Sequence, residues 1–91
     1  MVKKVFKYEL RVASRSSINM PKGAEILTAQ VQFDTPCIWA LVNPDTPTEE
    51  RFFRVFGTGH QIQYDMGIEF KYIGTFQVDG GSYVFHVFEE L

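Results

Sequence analysis

The chain has 91 residues, enough for one domain around one core and too few for separate catalytic and regulatory halves. Nine Lys and Arg against eleven Asp and Glu give a formal net charge of −2 with no basic block, which argues against a surface for duplex nucleic acid. No apolar run approaches the roughly 18 residues of a membrane-spanning helix, and the one cysteine, Cys37, has no partner for an intramolecular disulfide. With Met1-Val2-Lys3-Lys4 leading straight into a strand pattern, these features set the expectation of a cytoplasmic protein that does not enter a membrane.

Residues 5–12 alternate, with Phe6, Tyr8, Leu10 and Val12 on one face and Val5, Lys7, Glu9 and Arg11 on the other, as in a half-buried strand. Residues 13–17 read as a polar turn, and residues 18–20 as at most a short extended piece before Pro21-Lys22-Gly23. A second alternating run covers residues 25–33, placing Leu27, Ala29, Val31 and Phe33 opposite Ile26, Thr28, Gln30 and Gln32. After a reversal at Asp34-Thr35-Pro36, residues 37–42 are apolar on both faces, the pattern of a central strand. Residues 43–50 form a surface loop, and residues 51–56 resume a strand. Residues 57–67 break the pattern, with one short helical turn expected within 61–66. Residues 70–78 and 83–89 are two strands joined by Asp79-Gly80-Gly81-Ser82, whose Asp-Gly pair suits the positive φ of a tight hairpin.

No apolar residues recur at helical spacing over ten or more positions. The prediction is a single all-β domain over residues 1–91: a compact antiparallel sandwich or partly open barrel of six to seven strands. Nine Phe, four Tyr and one Trp supply its packing, and each ring buries roughly 150–250 Å² when enclosed. So many rings on so short a chain also point to self-association, and a homo-oligomer is expected.

Chemistry is sought where the alternation fails. Gly57-Thr58-Gly59-His60 follows the strand that carries Arg51 and Arg54. Its glycines let backbone amides approach a ligand, Thr58 offers a hydroxyl, and His60 can donate, accept or stack, so the group can cradle a phosphate or carboxylate. It is neither a P-loop nor a dinucleotide fingerprint, and it also reads as a plain glycine-rich strand end. Trp39 with Arg51 and Arg54 has the parts to stack a base, though Trp39 equally fits a core position. His86 alternates within an apolar strand and reads as a buried, hydrogen-bonded histidine, while Cys37 reads as a small buried hydrophobe. Two histidines and one cysteine are too few for a closed zinc site, so no metal, cofactor or catalytic set is predicted.

The succession PKGAEIL, PCIWALVNP, GTGH, YIGTF and GGSYVFHVFEE, spread over residues 8–90, resembles a family of short proteins encoded by tailed bacteriophages and prophages. That family's pattern follows the GTGH histidine with Pro-Ile, where Gln61-Ile62 stand here. The resemblance implies an accessory protein that works by binding in an infected bacterial host, either blocking a host protein or sequestering a nucleotide signal of host defence. On that reading Arg51, Arg54 and residues 57–60 would hold phosphates and an aromatic ring would stack on a base. Two other readings remain: a protein–protein inhibitor or structural accessory factor acting through an aromatic face or sheet edge, and a small hydrolase built on His60 and His86.

Overall fold

The computed structural model describes residues 1–63 and 67–91. They form seven antiparallel strands: β1 (Lys4–Glu9), β2 (Ser16–Pro21), β3 (Glu25–Gln32), β4 (Thr35–Val42), β5 (Thr48–Gly57), β6 (Phe70–Val78) and β7 (Tyr83–Glu90). One sheet has the order β1-β4-β3 and the other β2-β5-β7-β6. The chain is therefore all-β, as its alternation predicts. No barrel closes. The helical turn expected within residues 61–66 falls partly outside the described residues, and residues 61–63 have no regular structure.

The period of two in each strand decides what is buried. On β4, Ile38, Ala40 and Val42 turn inward, where they meet Met20 of β2, Phe53 and Val55 of β5, Phe76 of β6 and Val87 of β7. Leu10 closes this core at one end, its N–H donating to Pro36 O at 2.9 Å. β3 departs from the expected faces. A bulge between Ile26 and Thr28 shifts the register, so Ile26 joins Ala29 and Val31 against the core and Leu27 is left exposed. Phe33 is exposed as well, because it sits in the turn to β4 at a φ of 49° rather than in the strand.

β2 is a full strand where only a short extended piece is expected. Ser16, Ile18 and Met20 face inward and Ser17 and Asn19 outward. Serine and asparagine hide that alternation from a hydropathy reading, and Pro21 is tolerated at its end because β2 is an edge strand.

The two sides of the sandwich differ. On one side β3 lies against β6, and a Cβ at Gly74 would stand 3.2 Å from Ala29 O. On the other, β1 and β2 are both edge strands and no ladder joins them. The chain crosses between the sheets there, through residues 10–15, and leaves an open seam.

Candidate functional site

The predicted site residues do not converge. Arg51 and Arg54 are three positions apart on β5, so alternation sends them to opposite faces. Arg51 faces inward with Phe53 and Val55. Its Nε donates to Glu89 Oε2, its Nη2 donates to Glu89 Oε1 at 2.9 Å, and its Nη1 donates to Ala24 O at 2.8 Å. Glu49 lies 3.7 Å from the same guanidinium. Glu89 is only 4% exposed, and its hydrogen bonds raise the Arg51 pKa above the ordinary arginine value. This is a structural ion pair, its charge answered by Glu89 and three of its five N–H donors engaged within the fold.

Arg54 lies on the outer face. Its Nε donates to Glu90 Oε2 at 2.6 Å, and its guanidinium stands 5.4 Å from the centre of the Phe70 ring. Arg15 completes that cluster: it donates to both Glu90 oxygens, at 2.7 and 3.2 Å, and lies 4.1 Å over Phe52. Hydrogen bonding from Arg15 and then Arg54 holds the Glu90 carboxyl down at about 2. Around the network, Phe56, Phe70, Tyr72 and Phe88 contact one another edge-to-face, with centroid separations of 5.6–6.4 Å.

Trp39 is half-buried on the outer face of the other sheet, where it pairs with Lys7 of β1 and Thr28 of β3. The thickness of the sandwich separates it from Arg54. The residues proposed to stack a base and hold its phosphate therefore occupy different surfaces.

His60 N–H donates to Gly57 O at 3.1 Å, closing a tight turn with Gly59 at a φ of 86°. The His60 ring lies directly on Gly57, where a Cβ would come within 2.8 Å of Cε1. Gly57, Thr58 and His60 face Ser82, Tyr83, Val84 and Phe85 across a cleft of about 240 Å³. No lysine or arginine lines it. His86 is hydrogen-bonded but only half-buried, because it falls on the outer face of β7: Thr58 Oγ1 lies 2.7 Å from Nε2 and Thr75 Oγ1 3.0 Å from Nδ1. Cys37 is buried, with its thiol donating to Thr35 O.

A larger cleft, of about 680 Å³, opens along the seam between β1 and β2. Glu9, Leu10 and Arg11 come to it from the end of β1, Arg15 to Ile18 from the start of β2, and Thr35 from β4. Arg11 is exposed, and its guanidinium has no ion-pair or hydrogen-bond partner among the described residues. Ser17 and Thr35 add hydroxyls, and Leu10 and Ile18 an apolar floor. Ser16 Oγ, in the wall, is buried without a hydrogen-bond partner among the described residues. The volume lies within the 300–1,000 Å³ typical of small-molecule sites. The signal available in the sequence was Arg11-Val12-Ala13-Ser14-Arg15-Ser16-Ser17, a run of cations and hydroxyls that reads as an ordinary turn.

The family described as a domain of unknown function, DUF7352, matches residues 1–91. The chain belongs to that family. No curated protein and no solved structure matches it. Membership extends over the whole fold, seam and loop included, and the chemistry of either cleft rests on the residues themselves. Among the described residues no group of three or more His, Cys, Asp or Glu is placed to hold a metal ion, and no helix is long and apolar enough to cross a membrane.

Proposed function

We propose that this DUF7352 protein is a small binding domain that captures a phosphorylated or nucleotide-like ligand in the seam between β1 and β2. The observation that carries the reading is that Arg11, whose guanidinium has no partner among the described residues, lines the larger cleft together with Ser17 and Thr35. A guanidinium can bind a phosphate through two parallel hydrogen bonds, and hydroxyls serve its remaining oxygens. The Leu10 and Ile18 surface suits the flat, less polar part of such a ligand, and Glu9 can accept from its amino or hydroxyl groups.

The resemblance to short tailed-phage proteins supports an accessory role inside an infected bacterium, with sequestration of a nucleotide signal as the biological outcome. Thermal melting with a panel of cyclic and linear nucleotides tests the reading. A nucleotide that raises the melting temperature supports it, and a flat response to the whole panel sinks it. A second reading, a protein–protein factor or homo-oligomer, draws on the aromatic cluster of Phe56, Phe70, Tyr72 and Phe88 on the outer face of β5, β7 and β6. Native mass spectrometry of the purified protein separates the two. A stable oligomer without small-molecule binding favours the second.

A further inference from the structure

We propose that Thr58 and His86 form a nucleophile–base pair able to hydrolyse a small activated ester at the cleft beside the Gly57–His60 turn. The site is distinct from the seam, and either can fail without the other. Thr58 is the first residue beyond β5, set on the tight turn that His60 N–H closes onto Gly57 O. Its Oγ1 lies 2.7 Å from His86 Nε2. The other ring nitrogen, Nδ1, lies 3.0 Å from Thr75 Oγ1, which in turn lies 2.6 Å from the Tyr72 hydroxyl.

That chain has one polarity that suits catalysis. Nδ1–H donates to Thr75, Thr75 donates to Tyr72, and Nε2 is then a free acceptor for the Thr58 proton. Such a nucleophile, base and orienting group within hydrogen-bond reach is the general requirement for an activated hydroxyl. A fourth element is present. The N–H of Gly59, the residue after the nucleophile, has no hydrogen-bond partner among the described residues. An N–H in that position stabilises the oxyanion of an acyl-transfer intermediate in hydrolases that carry their nucleophile on a sharp turn after a strand. Tyr83, Val84 and Phe85 line the cleft next to Thr58 and suit a short apolar acyl group. The reaction needs only an ester and water. Thr58 Oγ1 bonds to the acyl carbon while its proton passes to His86 Nε2. The bond to the leaving oxygen then breaks, and that oxygen takes the proton from His86. Water, deprotonated by His86, attacks the acyl carbon, and the proton returns to Thr58 as the acid leaves. Thr75 and Tyr72 are positioning residues, because they act on the imidazole and not on the ester.

The test uses p-nitrophenyl acetate with the full-length protein. The expected result is p-nitrophenol release that falls about a hundredfold or more in His86→Ala and in the near-isosteric Thr58→Val. Thr58→Ser should retain turnover, and peptide mapping should place a transient acetyl group on Thr58. Thr75→Val should lower kcat with KM unchanged, which a purely structural role would not do. Release that is the same in wild type and Thr58→Val, or an acetyl group found only on other side chains, overturns the proposal. Loss of turnover in every variant, Thr58→Ser included, with the melting curve preserved, also counts against it.

Discussion

Ser16 carries a buried hydroxyl without a partner among the described residues, and an unpaired buried polar atom costs about 1–3 kcal/mol. Ser16→Ala is therefore expected to stabilise the unliganded protein by about 1 kcal/mol, seen as a higher urea midpoint at unchanged slope. The same change is expected to weaken any ligand whose polar group reaches that oxygen in the seam. Glu89 presents the opposite case. Its carboxylate is buried and answered by Arg51, so Glu89→Gln leaves the guanidinium with only the more distant Glu49, 3.7 Å away, as a counter-charge. Removing one partner of a buried pair costs about 3–5 kcal/mol, and chemical denaturation of the variant should show a loss of that order. Glu90 sets the acid behaviour. Its folded pKa of about 2 lies below the ordinary 4.5, so its contribution is fully present above pH 4.5 and disappears as pH falls through about 2. Glu90→Gln should lower stability at neutral pH and flatten the melting temperature between pH 4.5 and 2, which a pH series of thermal melts would show.

At the scale of elements, the β6–β7 hairpin turns on Asp79 and Gly80, both left-handed at φ 53° and 64°. Gly80→Ala adds a Cβ in that region and is expected to cost about 1 kcal/mol, measurable as a lower denaturation midpoint. This turn was legible because Asp-Gly chemistry is local. The central strand β4 was legible too, from its unbroken apolar run. β2 was not, since its inward residues include Ser16 and its outward residues are also short and polar, leaving little contrast. The misassigned face of Ile26 has a different cause: one bulge inverts an alternation that a period of two cannot anticipate. Arg51 and Arg54 teach a further point about sites. Their odd spacing already places them on opposite faces of any strand, whereas their partners Glu89 and Glu90 lie more than 30 positions away and only the fold brings them near.

At the scale of the molecule, the sandwich is held shut where Gly74 meets Ala29 and stands open where β1 and β2 face each other without a ladder. The seam cleft is a product of that topology. It draws on residues from three strands and from the crossing between the sheets, so no single motif announces it. Arg11 is the residue on which the seam reading turns, being charged, exposed and unpaired, and its removal should leave the free protein as stable as before. A ligand present at 100 times its Kd should stabilise the fold by about 2.7 kcal/mol, so binding will register in melts and in calorimetry alike. The decisive measurement is calorimetric titration of nucleotides into the wild-type protein and Arg11→Ala. The account predicts saturable binding to the wild type that weakens at least about tenfold in Arg11→Ala, with the unliganded melting temperature unchanged. Binding of equal strength to both proteins, or heat of dilution alone from both, would contradict it.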